Sequence, residues 1–222
     1  MKEIVDYFHA LIVYNKGVKV RCLLLSKFEI LDSLMYINKG FIKTSDAINA
    51  GVSRTYFGEY VRERQLERVA HGLYSSQEAW EDRLYVIQVR YPEAVFSHET
   101  ALYLLGIAER EPTQYSVTLK AGTNSTGLIN SGVKVYKVKP ELFYEGIIDT
   151  QSQSCHKVRA YSPERTVCDL FRSRRNIEIQ DLQAAIKEYV RLKEKNIPLL
   201  MRYAKLFSVE KIVRQYLTVF LS

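Results

Sequence analysis

Basic and hydroxyl-bearing side chains recur through residues 44–71, and they are the groups in this sequence best suited to chemistry. Arginine and lysine bind phosphate oxygens and the edge of guanine, whereas serine, threonine and tyrosine bind phosphate or contact base edges. This combination of side chains predicts contacts with double-stranded DNA. The residues predicted to make them are Thr44, Ser45, Ser53, Arg54, Thr55, Tyr56, Arg62, Arg64, Arg68 and His71.

The segment 46–57 has the residue spacing of a helix-turn-helix. Ala47 is small enough for a second helix to cross against it, and Gly51 can adopt the left-handed backbone that a tight turn needs. Phe57 and Val61 are predicted to point inward and to fix the angle of the second helix. The outer face of that helix is then free to enter the major groove of DNA with its N-terminal residues near the base edges.

The flanking sequence predicts the elements that position this segment. Apolar residues at helical spacing predict a helix over 28–39, a second helix begins at a hydroxyl cap at residue 44 or 45, and a third runs over 53–64. Residues 66–69 and 73–75 are predicted to form two strands around a turn. Three short helices followed by a hairpin predict a winged helix-turn-helix.

Beyond residue 76 the hydrophobic pattern changes and predicts a second domain. The predicted fold class is mainly α with an α+β second domain and a helical C-terminal tail. The predicted domains are 1–76, an N-terminal extension plus the winged helix, and 77–222. Residues 1–26 fit no clear period and are interpreted as an added helix, an added strand or a loosely held extension. The second domain is predicted to contain helices over 77–91, 98–106 and from 162, strands over 95–96, 115–119, 133–138 and 158–161, and two or three helices within 178–220.

Composition narrows the class of protein. The net charge of +7 and the pI of about 9.2 favour an anionic partner such as nucleic acid. The cysteines Cys22, Cys155 and Cys168 are far apart and odd in number, which argues against a disulfide framework or a zinc site and favours a reducing compartment. No apolar run has the length of a membrane span, and charges interrupt the short N-terminal runs. We therefore expect a cytoplasmic protein with no membrane partner, no cofactor and no metal.

From about residue 28 onward the sequence resembles the antitoxin family of the AbiE abortive-infection systems, a bacterial type IV toxin–antitoxin class. The resemblance implies an N-terminal winged helix that represses its own operon by binding inverted repeats in promoter DNA. It also implies a C-terminal antitoxin domain that counteracts a nucleotidyltransferase toxin without a stable complex. The segments that carry the resemblance are Gly40–Ile42, Ala50–Arg54, Leu66–Tyr74, Phe96–Leu102 and Glu164–Leu170.

A second group of charged residues lies in the last of these segments and just beyond it. On a helix, three of its members share one face and predict a surface ladder of ion pairs that ends in a cationic helix terminus. The functional alternatives are an antitoxin surface, an anion-binding surface or a contact with DNA beside the operator. The residues of this group are Arg165, Asp169, Arg172, Arg174 and Arg175.

The motifs that would indicate an enzyme are incomplete. His98-Glu99 lacks the second histidine of a zinc protease, because Leu102 stands in its place. The segment 122–127 is rich in glycine but is not followed by the Gly-Lys-Ser/Thr of a phosphate-binding loop. No lysine has an acidic residue two positions earlier, as a restriction-type nuclease would need. We therefore predict a protein without catalysis.

A protein-interaction adaptor is the alternative function. Winged helices also serve as docking modules for other proteins, and the predicted groove face carries Glu59 and Glu63, which DNA would repel. The adaptor hypothesis predicts weak binding to DNA that is indifferent to its sequence.

Overall fold

The computed structural model describes residues 26–221. The described part of the chain divides into two compact units, the first formed by residues 26–67 and 74–78, and the second by residues 68–73 and 79–221. Of the predicted extension over residues 1–26, residues 1–25, including Cys22, lie outside the described residues. Within the described part, no helix is long and apolar enough to cross a membrane.

The elements up to residue 78 are three helices and three short strands. The strands form one sheet in the order β1 (Phe41–Lys43), β3 (Leu73–Ser75), β2 (Glu67–Ala70). Strand β1 was not predicted, because three residues are too few for an alternating pattern to show. The elements are α1 (Lys27–Ile37), β1 (Phe41–Lys43), α2 (Thr44–Asn49), α3 (Arg54–Glu63), β2 (Glu67–Ala70) and β3 (Leu73–Ser75).

Helix α1 is defined by signals at both of its ends. Ser26 and Glu29 form a capping box, in which the Ser26 N–H donates to Glu29 Oε2 at 2.6 Å and the Glu29 N–H donates to Ser26 Oγ at 3.3 Å. The helix ends where Lys39 adopts a left-handed backbone, with φ +50°. Its inner face joins the apolar core of the first unit, whose buried members are Leu31, Met35, Ile42, Ala47, Val52, Phe57 and Tyr60.

The second unit combines helices with a mixed sheet, which agrees with the predicted α+β architecture. Strand β7 (Ile147–Gln151) and the short helix α7 (Pro140–Phe143) were not predicted, and helix α4 (Arg83–Arg90) is shorter than the predicted 77–91 because Asp82 caps it. The helices are α4 (Arg83–Arg90), α5 (His98–Leu104), α6 (Thr126–Asn130), α7 (Pro140–Phe143), α8 (Pro163–Arg172), α9 (Ile179–Arg191), α10 (Ile197–Leu206) and α11 (Glu210–Leu221), with one 3₁₀ turn at Arg174–Asn176. The strands are β4 (Val95–Phe96), β5 (Ser116–Lys120), β6 (Lys134–Val138), β7 (Ile147–Gln151) and β8 (Lys157–Tyr161).

The five strands of the second unit form one sheet in the order β6-β5-β4-β8-β7. The central strand β4 pairs antiparallel with β5 and parallel with β8, where Phe96 faces Ala160 in the register. Strand β6 adds parallel to β5, and β7 adds antiparallel to β8. The middle strand of the sheet, which joins its two halves, is therefore only two residues long.

Helix α8 is the centre of the second unit. Every residue from Glu164 to Phe171 is buried, on all sides of the helix. Helices α9, α10 and α11 pack against it and supply most of the larger apolar core. The charged residues within this part of α8 are therefore buried as well.

Candidate nucleic-acid interface

The turn between α2 and α3 is set by backbone geometry. Gly51 has φ +82°, and a side chain at this position would meet no atom within 4 Å. Glycine is therefore required for its backbone conformation and not for space. The Val52 N–H donates to the Ala47 carbonyl at 3.0 Å, and the Gly51 N–H to the Ile48 carbonyl at 2.9 Å, which is the hydrogen-bond pair of a Schellman turn.

Helix α3 begins at Arg54 with Ser53 as its N-cap, at the predicted position. The Ser53 hydroxyl accepts a hydrogen bond from the Tyr56 N–H at 3.3 Å and so caps the helix. Arg54, Thr55 and Tyr56 follow in the first turn, and all three are exposed. The structure therefore places the predicted base-reading residues side by side at the solvent-facing start of one helix.

The inner face of α3 is anchored by two aromatic residues. Phe57 is buried as predicted and packs edge-on against Tyr74, with ring centroids 5.4 Å apart. Tyr60, which the sequence analysis did not single out, is buried as well. Val61, predicted to point inward, is half-buried beside this core. These contacts fix the rotation of α3 about its own axis.

Tyr60 also anchors a polar link between α1 and α3. Its hydroxyl donates to Asp32 Oδ1 at 2.8 Å, and Arg64 Nη2 lies 2.6 Å from Asp32 Oδ2. Burial and the hydrogen bond with Asp32 raise the pKa of the Tyr60 hydroxyl. Arg64, which was predicted to contact DNA, thus forms an ion pair with the Asp32 carboxylate and links the end of α3 to α1.

Tyr56 has neighbours from α1 on its outer side. The Phe28 ring meets it edge-on, with centroids 6.0 Å apart, and the Lys27 Nζ lies 4.7 Å from the centre of the Tyr56 ring. The Tyr56 side chain is nonetheless 41% exposed. The aromatic ring is therefore held in place while one side of it remains open.

The remaining predicted contacts near α2 and α3 are spread over the surface. Thr44 is half-buried and Ser45 exposed, but neither caps α2 as predicted. The N-cap of α2 is Lys43, which makes no side-chain capping bond, and Ser45 Oγ instead donates to Asp46 Oδ1 at 3.3 Å. Arg62 is exposed and its Nε donates to the Gly58 carbonyl at 3.4 Å.

The hairpin carries two of the predicted contacts. Arg68 is exposed on β2, and its Nε donates to the Ala70 carbonyl at 3.4 Å. His71 is exposed in the turn that Gly72 closes with φ +68°. Both side chains are open to solvent, in keeping with a contact to an external partner.

The predicted ladder of surface ion pairs on α8 is wrong for its first two members. Arg165 and Asp169 are 0% and 3% exposed. The cause is the complete burial of α8, which encloses the guanidinium in protein contacts. Arg165 Nη1 donates to the carbonyls of Leu142 and Glu145, both at 2.8 Å, and its guanidinium carbon lies 3.9 Å from the centre of the Phe207 ring.

The rest of that charged group remains near the surface. Arg172 Nη1 donates to Asp169 Oδ1 at 3.4 Å, and Arg174 Nη1 donates to the Phe171 carbonyl at 2.9 Å. Arg175 is exposed in the 3₁₀ turn. Any surface formed by this group therefore consists of Arg172, Arg174 and Arg175.

His98 lies at the centre of a buried polar network. Its Nδ1 is 3.0 Å from Ser97 Oγ and its Nε2 is 3.0 Å from Ser173 Oγ, while its ring stacks on Tyr136 at 3.5 Å. Thr118 Oγ1 in turn donates to Ser97 Oγ at 2.9 Å. Burial, assisted by the nearby charges of Lys134 and two arginines, lowers the pKa of His98 to about 3. The network joins the sheet to the end of α8.

A second buried cluster was missed by the sequence analysis. The Asp82 carboxylate accepts hydrogen bonds from Ser152 Oγ at 2.5 Å and from the Tyr85 N–H at 2.9 Å, and its Oδ2 lies 2.7 Å from His156 Nδ1. Burial opposes the ionisation of Asp82, but the hydrogen bonds from His156, Ser152 and Tyr85 together lower its pKa. Ser152 bonds to the carboxylate and not to the imidazole, so the cluster lacks the order of a nucleophilic triad. Its only sequence signal is Asp82 as the cap of α4.

The clusters of titratable side chains do not form a metal centre. Among residues 26–221, no three His, Cys, Asp or Glu side chains come together as a cation would require. The exposed side chains at the start of α3 can form hydrogen bonds and charge contacts.

The fold is that of a mixed helix-and-sheet protein with helix-turn-helix geometry in its first unit. Residues 32–77, which run from within α1 to just past β3, match the family described as transcriptional regulator, AbiEi antitoxin. Residues 32–77 are thus similar to an AbiE-type antitoxin family, which agrees with the resemblance seen in the motifs of this segment and supports an antitoxin-regulator role.

Comparison with solved structures gives a likeness in fold. The chain is similar to the crystal structure of the RV2827C protein from Mycobacterium tuberculosis, with a TM-score of 0.53 and 13% sequence identity. The similarity covers 79% of this chain and 70% of that chain. Comparison with curated proteins gave no match.

Proposed function

We propose that this protein is the antitoxin of a bacterial type IV toxin–antitoxin system that acts in abortive phage infection, and that it represses its own operon. In this proposal the first unit is a winged helix-turn-helix domain that binds inverted repeats in double-stranded promoter DNA. The protein acts in the cytoplasm, without catalysis and without a cofactor. The family match over residues 32–77 supports the antitoxin-regulator part of the proposal.

The observation that carries the DNA-binding part is the arrangement of α3. Its first turn presents Arg54, Thr55 and Tyr56 to solvent, while Phe57 and Tyr60 lock the opposite face into the core. Rigid presentation lowers the entropy lost on binding, and a helix of this kind reads base edges with its N-terminal residues. Arg54 is the residue best suited to pair with guanine, since no ion pair within residues 26–221 engages it.

The antitoxin activity is assigned to the second unit. Its proposed target is a nucleotidyltransferase toxin that it counteracts without forming a stable complex. The exposed arginines Arg172, Arg174 and Arg175 are the proposed antitoxin surface, since Arg165 and Asp169 are buried. Toxin rescue in cells by a full-length chain with these three arginines changed to glutamine tests this assignment.

Titration of a promoter fragment with the full-length protein tests the DNA-binding proposal. Arg54→Ala should weaken binding to the promoter by roughly 1–3 kcal/mol, which is about 5- to 150-fold in Kd, and should weaken binding to a scrambled duplex far less. Arg110→Ala, an equal change of charge at an exposed residue of the second unit, serves as the control and should retain promoter affinity. An unchanged affinity in Arg54→Ala would show that α3 is not the recognition helix.

A protein-interaction adaptor remains the second candidate, and one observation favours it. Glu59 and Glu63 are exposed on α3, where they would repel phosphate and suit a basic protein partner. The same titration separates the two functions. Equal affinity for promoter and scrambled duplexes supports the adaptor, whereas a preference for the promoter supports the repressor.

A further inference from the structure

Lys27 is placed beside the exposed face of α3, although it belongs to α1. Its ammonium lies over the Tyr56 ring, 4.7 Å from the ring centre. The adjacent Phe28 ring packs edge-on against both Tyr56 and Tyr60, at 6.0 and 5.3 Å between centroids. Because Phe28 is fixed between these two rings, the start of α1 is held next to the first turn of α3.

The stability of α1 does not account for a lysine at this position. Lys27 is the first residue of the helix, where the partial positive charge of the helix end disfavours a cation. The capping of the helix is already supplied by Ser26 and Glu29. No ion pair within residues 26–221 involves Lys27, so its charge is not offset by a carboxylate there.

We infer that Lys27 binds a phosphate of the DNA backbone beside the groove that α3 enters, and that Tyr56 positions it for this contact. The inference rests on the proposed function and adds a residue outside the helix-turn-helix to the interface. An ammonium group suits phosphate as a point charge that carries no base preference. A cation–π contact at an exposed site is weak, so the lysine is oriented without being neutralised.

Salt dependence provides the test, because a phosphate contact has a signature that base contacts lack. For full-length Lys27→Gln, the slope of log K against log salt should be shallower by about 0.9 than in the wild type. The affinity should fall by a similar factor for the promoter fragment and for a scrambled duplex. Lys27→Arg should restore the wild-type slope. In contrast, Arg54→Ala should lower the affinity for the promoter selectively.

Three further variants test whether the effect depends on the position of the charge and on the aromatic ring beneath it. Lys187→Gln, an equal change of charge at an exposed residue of α9, should leave the slope unchanged. If Lys187→Gln made the slope shallower by the same amount, the change would be due to net charge, and the inference would be overturned. Tyr56→Phe keeps a ring beneath the ammonium and should retain the Lys27 contribution, whereas Tyr56→Leu should lose it.

The outcomes for the two proposals can be told apart. If the wild-type protein does not distinguish the promoter from the scrambled duplex, the proposed repressor function fails. If the wild type does distinguish them but Lys27→Gln keeps the full salt slope, only the role of Lys27 is overturned. Residue 27 lies outside the apolar core, so each variant at this position should keep helix α1. Circular dichroism of each variant checks this.

Discussion

Arg165 Nε donates a hydrogen bond to Asp169 Oδ2 at 2.9 Å, one turn apart on a helix that is enclosed on all sides. A buried ion pair of this kind gives little net stability over an apolar pair, but the loss of one partner leaves an uncompensated charge in the interior. Burial raises the pKa of Asp169, while the two neighbouring arginines favour its charged form. The pair is therefore a point at which single substitutions should be costly.

Asp169→Ala should lower the free energy of unfolding by about 3–5 kcal/mol, because Arg165 would remain buried without its carboxylate. Urea unfolding followed by circular dichroism measures this change. Arg175→Ala, at an exposed residue of the adjacent 3₁₀ turn, should stay within about 0.5 kcal/mol of the wild type. A cost below about 1 kcal/mol for Asp169→Ala would mean that the guanidinium finds other partners.

Gly146 offers a second test of how closely α8 is packed. Its φ is +77°, and a methyl group at this position would lie 2.8 Å from Arg165 Cβ. Gly122 has a similar backbone, with φ +93°, but nothing within 4 Å of the added group. Gly146→Ala should therefore lower the stability of the protein by clearly more than Gly122→Ala, for which only the backbone cost of about 1–2 kcal/mol applies. Equal losses in thermal unfolding would argue against the close approach.

Acid stability should depend on His98. Its pKa is about 3 in the folded protein against 6.5 in a model peptide, so below pH 6.5 the unfolded chain binds a proton that the folded chain excludes. The contribution of His98 to stability is complete above pH 6.5 and is lost at up to about 1.4 kcal/mol per pH unit as the pH falls toward 3.

The His98→Asn variant isolates this contribution to the pH dependence. Asparagine accepts the left-handed backbone that residue 98 adopts, with φ +52°, and it does not titrate. Unfolding free energies measured between pH 7 and pH 4 should therefore fall less steeply in the variant. If both proteins lose stability in parallel, His98 is not the group that takes up the proton.

The link between Tyr60 and Asp32 predicts a smaller effect in the first unit. Tyr60→Phe removes the donor to Asp32 Oδ1 and should lower stability by about 0.5–1.5 kcal/mol. Tyr36→Phe removes a hydroxyl from a side chain that is 85% exposed and should have no measurable effect. A thermal melt of both variants makes the comparison, and similar melting temperatures would contradict the role assigned to the Tyr60 hydroxyl.

Local sequence signals were sufficient wherever an element is determined by its own residues. The glycine at position 51, the serine cap at 53 and the alternation in 134–138 each predicted the element that the structure contains. Strand β7 has no such signal, because Ile147–Gln151 is ordered by pairing with β8 and not by its own alternation. The outward direction of Arg54 followed from helical periodicity in the same way.

Local sequence signals did not predict the polar residues of the interior. Arg165 was assigned to the surface because charged residues usually lie there, yet the carbonyls that enclose it belong to residues 142 and 145. The partners Asp82 and His156 are 74 positions apart in the chain. Contacts of this separation are decided by the packing of the whole unit, and a pattern read over neighbouring residues does not contain them.

The topology of the second unit has a consequence for the order of events during synthesis. All residues of the sheet β1-β3-β2 have been made once residue 75 is added, whereas β8, a partner of the two-residue strand β4, ends only at Tyr161. Domains fold as units and the N-terminal one folds first on the ribosome. A nascent chain therefore carries the complete helix-turn-helix segment while most of its second unit is still unmade, so the DNA binding proposed for α3 would precede the antitoxin activity proposed for the second unit.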